Sequence, residues 1–104
     1  MSEALLLVDI QNDYFENGAM ELVNMEKAAA NAAVLLNLFR KKSLPVYNVR
    51  HISLKQGATF FLPDTEGAEI HSMVSPLSNE PVIEKHYPNS FRETDLLEKL
   101  KSIG

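Results

Sequence analysis

Two charged residues close short apolar runs in this chain. Asp9 follows Leu5-Leu6-Leu7-Val8, and Lys85 ends Pro81-Val82-Ile83-Glu84-Lys85. Short apolar runs of this kind read as strands buried on both faces of a parallel sheet. In such sheets ligands bind just beyond the carboxyl ends of the strands. If the two runs share a sheet, Asp9 and Lys85 face one pocket. A carboxylate and an ammonium brought together each favour the other's charged form. The carboxylate is then available as a general base toward a third, nucleophilic group. The plainer alternative is a solvated strand-end lysine and an aspartate that caps a turn. Other residues group around the same edge. His51 ends a further strand and is expected in the pocket wall. Phe60 and Phe61 are apolar enough to line it, with Phe15, Tyr87 and Phe91 as further lining candidates. Gln11 and Asp13 are expected to fix the loop after the first strand by hydrogen bonding rather than to touch substrate.

These positions need a scaffold, and the sequence supplies its signals. Glu16-Asn17-Gly18-Ala19-Met20 reads as a loop. Asn24 is a plausible N-cap for a helix from about Met25 to Lys42, whose Ala29, Ala32, Ala33, Leu36 and Phe39 follow helical spacing. Arg40, Lys41 and Lys42 suit the negative end of its dipole. Val46-Tyr47-Asn48-Val49-Arg50-His51 reads as the second strand, which completes a right-handed βαβ unit. The irregular stretch from Ile52 to Asn79 is long for a plain connection and favours an active-site wall. After the third strand, Ser90 with Glu93 resembles a capping box that opens a second helix. Leu96, Leu97, Leu100 and Ile103 would form its buried stripe, with Gly104 as C-cap. Three strands and two helices leave one flank of the sheet uncovered, as expected of the first half of a domain.

Composition bounds the function classes. The chain has 104 residues, 45% of them hydrophobic, with a formal charge of −4. That describes one globular domain at most. The ten Lys and Arg are scattered rather than striped, so nucleic acid is not expected. No apolar run approaches the roughly 18 residues of a membrane span. The start of the chain shows neither a basic n-region nor a cleavage site, and a cytoplasmic location is expected. Cysteine is absent. That removes disulfides, thiolate metal sites and any thiol nucleophile from these residues.

The segment Val8-Asp9-Ile10-Gln11-Asn12-Asp13-Tyr14-Phe15 resembles the N-terminal signature of the isochorismatase-like hydrolases, also called the cysteine hydrolase family. The resemblance continues in order through Val49-Arg50-His51 and through Phe60-Phe61-Leu62-Pro63-Asp64-Thr65-Glu66-Gly67-Ala68-Glu69-Ile70. It ends with Val82-Ile83-Glu84-Lys85-His86-Tyr87-Pro88-Asn89-Ser90-Phe91, followed by Thr94 and Leu96. Residues 1–104 would then be the N-terminal part of a single isochorismatase-like domain. The implied fold is α/β and doubly wound, around a mostly parallel six-stranded sheet. This chain supplies about three strands and two helices of it. The implied chemistry is an Asp-Lys-Cys triad that hydrolyses small amides or related C–N bonds. Asp9 matches the aspartate that takes the thiol proton, and Lys85 matches the lysine that stabilises the charged triad.

The family's cysteine lies on a segment after the next strand, beyond these residues, together with part of the oxyanion hole. The remainder of the domain is therefore an expected partner, beside a small-molecule substrate and further copies in a homo-oligomer. Metal-binding relatives carry an Asp-x-His and a further His near here. This chain has Asn48 and Val49 nearby, with His51 and His71, so neither a metal nor another cofactor is expected. Two other readings compete with the cysteine hydrolase. One is a catalytically inactive relative that acts as an interaction protein. The other is a cysteine-free vinyl-ether hydrolase with Asp9 as proton donor, a role that a neighbouring Lys85 opposes.

Overall fold

The computed structural model describes residues 3–102, and Ile103 and Gly104, expected to finish the second helix, lie outside them. Three strands form one sheet: β1 (Leu5–Val8), β2 (Val46–His51) and β3 (Val82–Lys85), in spatial order β1-β2-β3. All pairings are parallel, with Val8 opposite Val49 and His51 opposite Lys85. The carboxyl ends of β1, β2 and β3 therefore reach one edge together. Helix α1 (Met25–Lys41) connects β1 to β2, and α2 (Leu96–Ser102) follows β3.

Side chains alternate across the sheet, as strand geometry requires. On one face Leu7 and Val46 pack with Leu36 of α1 and with Val74, and Leu5, Ala32, Ala33 and Phe39 surround them. On the other face Tyr47, Val49 and Ile83 pack with Leu96 of α2, flanked by Leu6 and Leu100. The fold is thus α/β, with parallel strands between helices. Arg40 near the end of α1 forms a two-pronged pair with Glu80, at 2.7 and 2.8 Å, and donates to the Ser75 carbonyl. That fork ties the helix to the segment leading into β3. The pairing holds Glu80's pKa below its ordinary value, chiefly through the Arg40 hydrogen bond.

Three local expectations are corrected. β1 is not buried on both faces: Leu7 is buried against α1, whereas Val8, on the opposite face, is 41% exposed. Asn24 does precede α1, but its side chain makes no cap bond. Its φ of 63° places it in the left-handed region, which asparagine tolerates better than most residues. Helix α1 itself spans Met25–Lys41, in line with the expected extent of about Met25 to Lys42. The Ser90–Glu93 capping box does not form. Glu93 sits at φ 53°, the Thr94 hydroxyl donates to the Ser90 carbonyl, and α2 begins only at Leu96. The long stretch after β2 is irregular, as expected, with single 3₁₀ turns at Glu66–Ala68 and Ser72–Val74.

Candidate functional site

The sheet's carboxyl edge is organised by the turn that follows β1. Gln11 is fully buried. Its Nε2 donates to the carbonyls of His51 (2.9 Å) and Ala68 (2.7 Å), and its Oε1 accepts from the His51 N–H (2.8 Å). One side chain thus joins the ends of β1 and β2 to the loop that covers them. Backbone bonds from Asn12 N–H to Glu69 O and from His71 N–H to Ile10 O extend the junction. Asn12–Tyr14 then form a 3₁₀ turn. Asp13 accepts from Phe61 N–H at 2.7 Å and from Ala19 N–H at 3.2 Å. Gln11 and Asp13 thus make the loop-fixing hydrogen bonds expected of them.

Within this frame a cavity of about 260 Å³ opens at the strand ends. It is lined by Asp9, Tyr14, His51, Ser53, Phe60, Phe61, Lys85 and Pro88. Lys85 is 2% exposed, and its Nζ lies 3.2 Å from Asp9 Oδ2 and 3.1 Å from the Pro88 carbonyl. The register of β2 with β3 and of β1 with β2 brings this pair together across His51. Asp9 takes φ 60°, so the chain turns sharply at the strand end while its N–H still bonds Val49 O. Asp9 Oδ1 is buried and has no hydrogen-bond partner. A buried carboxylate oxygen left bare is uncommon and costly, and this one borders the cavity.

The cavity's other walls are aromatic. The Phe61 ring lies 4.7 Å from Tyr14, 5.0 Å from Phe60 and 5.8 Å from His51, centroid to centroid. Burial, and next the Lys85 ammonium, push the His51 pKa below its ordinary value. Burial, and next the Asp9 carboxylate, raise that of Tyr14. Both side chains are therefore neutral near pH 7, and the Asp9–Lys85 pair carries opposite charges that offset each other. The arrangement offers a proton acceptor beside a fixed ammonium, in a small and largely apolar recess.

Of the residues singled out from sequence, Asp9, Lys85, His51, Phe60 and Phe61 meet at this cavity. Phe15, Tyr87 and Phe91 do not line it. Phe15 points to the other side of the 3₁₀ turn and stacks on His71 at 3.8 Å. Tyr87 packs under the Arg92 guanidinium at 3.7 Å, and Phe91 is 47% exposed. His86 is half-buried and bonds the Ile52 carbonyl through Nδ1. Sequence reasoning missed Tyr14, Ser53 and Pro88. Tyr14 lay within the quoted signature, whereas Pro88 contributes a carbonyl, which no side-chain pattern reveals. Among the described residues no three His, Cys, Asp or Glu side chains group as a metal-ligand set.

Comparison with known proteins places the chain in a family. The isochorismatase domain model matches residues 3–104. An uncharacterized isochorismatase family protein of Bacillus subtilis, YddQ, is 58% identical over the whole chain, which spans 58% of that protein. A crystal structure of a protein from Oleispira antarctica assigned to the isochorismatase hydrolases superposes with a TM-score of 0.91 at 47% identity. That match covers 96% of this chain and 55% of the other. N-carbamoylsarcosine amidase from Thermoplasma acidophilum has a TM-score of 0.89 at 25% identity, over 98% of this chain and 62% of that one. The chain spans a little over half the length of the first two relatives. With the domain model matched along nearly its whole length, the chain belongs to the isochorismatase family.

Proposed function

We propose that these residues are the Asp- and Lys-bearing part of a hydrolase that cleaves the C–N bond of a small amide. Its nucleophile is a cysteine thiol on a segment outside these 104 residues. The observation that carries this reading is the bare, buried Oδ1 of Asp9 at the cavity, with Oδ2 held by Lys85. Such an oxygen is suited to receive a thiol proton. The thiolate then bonds to the amide carbon, and backbone N–H groups hold the developing oxyanion. As the C–N bond breaks, the proton on Asp9 passes to the leaving nitrogen and ammonia departs. Water cleaves the thioester, releases the acid and restores the thiol. Lys85, 3.2 Å from Oδ2, holds the Asp9 side chain in place while the proton enters and leaves. The resemblance to a structure named for amidase activity supports a C–N bond as the target.

The same reading has the protein work in the cytoplasm as a homo-oligomer, with the remainder of the domain closing the site. None of the described helices is long and apolar enough to cross a membrane. Val34, Leu35 and Leu38 on α1 present exposed apolar surface of the kind such contacts cover. The test uses the protein expressed from its complete gene and a panel of small primary amides, with ammonia release as readout. Release that is abolished by iodoacetamide and by Asp9→Ala supports the proposal. Amide turnover that survives alkylation contradicts the cysteine mechanism, and no turnover of any amide leaves the vinyl-ether hydrolase and the interaction protein, which an assay on a vinyl ether tells apart.

A further inference from the structure

We propose that Asp13 is a positioning residue that sets the size of substrate the Asp9 cavity admits, by pinning the strained backbone of Phe61. Phe61 is 1% exposed and sits at φ 54°, a left-handed conformation that bulky side chains rarely adopt. Both of its backbone polar groups are held. Its N–H donates to Asp13 Oδ2 at 2.7 Å, and its carbonyl accepts from Ser53 N–H at 2.8 Å. Strain of this kind persists only where the surroundings over-determine it, and it concentrates at ligand sites. Here the strained residue is the hub of the cavity wall, because Tyr14, Phe60 and His51 all pack on its ring.

Asp13 is itself immobilised. Its other oxygen accepts from Ala19 N–H, and its backbone carbonyl accepts from Met20 N–H. Gly67 lies so close to the carboxylate that a Cβ there would overlap it. Constraint thus runs from Gly67 to the Asp13 carboxylate, to the Phe61 N–H, and on to the ring that closes the recess. If Phe61 relaxed to an ordinary φ, its Cα–Cβ bond would swing and carry the ring off its three neighbours. The recess would then widen without any change to Asp9 or Lys85. The proposal rests on the hydrolase reading only for its turnover assay.

The test compares kcat/KM for acetamide and hexanamide in the protein from the complete gene, with Asp13→Ala, Asp13→Asn, Gly67→Ala and Phe61→Gly. The hexanamide-to-acetamide ratio should rise about tenfold in D13A, mainly through KM, the scale of a change in pocket fit. Gly67→Ala should match it without removing the carboxylate, and D13N should be intermediate. F61G suits the left-handed φ but removes the ring itself, so it should shift the ratio and lower Tm. In the F61G background Asp13→Ala should then add nothing to the ratio. A ratio unchanged in D13A and Gly67→Ala, with only lowered Tm, would overturn the proposal. So would full additivity in the double variant. If the wild-type protein hydrolyses neither amide, the hydrolase reading fails separately. Relative binding of the two amides, followed by NMR on the Tyr14 and His51 resonances, then decides, and unchanged relative affinity in D13N overturns the proposal.

Discussion

Asp13 is 7% exposed, and both its carboxylate oxygens accept backbone N–H bonds, from Ala19 and Phe61. Asp9, at the other end of the same turn, has a side chain 24% exposed, one oxygen against the Lys85 ammonium and the other with no partner. The two residues are identical in type and four positions apart in the chain, yet one is fully satisfied by the fold and the other is not. A carboxylate with both oxygens on backbone donors is committed to structure. One with a bare oxygen at a cavity, beside a fixed ammonium, is left for a group that arrives from elsewhere. Residue type says nothing of this difference; the hydrogen-bond inventory does.

That contrast can be broken from either side. The largest expected effect is on the proposed catalysis: Asp9→Ala in the full-length protein should lower kcat/KM by about a thousandfold, within the range for loss of a general base. The catalytic loss should far exceed what any unfolding accounts for, although the buried Lys85 ammonium, left with only the Pro88 carbonyl, also lowers Tm. Lys85→Met comes next, with kcat lowered about a hundredfold or more through loss of a charge-stabilising group. Removing the ammonium alone leaves the Asp9 carboxylate without a counter-ion, so stability should fall as well, which denaturant titration would show.

Asp13→Ala should invert the pattern. Two N–H groups lose their acceptors, at about 1–3 kcal/mol for each one left unsatisfied, so the denaturation midpoint should fall clearly while acetamide turnover changes modestly. A D13A protein of unchanged stability would show that the clamp is not structural.

The smallest effect concerns pH. Burial and the Lys85 ammonium lower the His51 pKa. The unfolded chain therefore binds a proton at pH values where the folded one does not. This contribution to stability is present above the ordinary histidine value of about 6.5 and is lost as pH falls from there through the folded value. His51→Phe should flatten that part of the stability profile. A profile unchanged by the substitution would show that His51 is not desolvated as described.

Much of the scaffold was legible because it depends on patterns the chain writes locally. Leu5–Val8 and Val46–His51 are apolar and β-branched runs, and α1 repeats small and apolar residues at helical spacing. What failed depended on backbone dihedral angles or on direction. Ser90 and Glu93 have the residue types of a capping box, but a positive φ at Glu93 turns the chain before the helix can start. Tyr14 and Phe15 are adjacent aromatics, and only the 3₁₀ turn decides which one faces Asp9. At about three residues per turn, it sends neighbours to different sides. Asp9 and Lys85 could be paired from sequence because both end strands of one parallel sheet, where register alone brings strand ends together. The bare oxygen and the pinned Phe61 had no signature in residue order.

The most direct measurement is ammonia release from small amides by the full-length protein, with Asp9→Ala and Asp13→Ala assayed at equal folded concentration. The expected result is near-complete loss in D9A and retained acetamide turnover in D13A. Full activity in D9A, or equal losses in the two variants, would contradict the division of labour between these carboxylates.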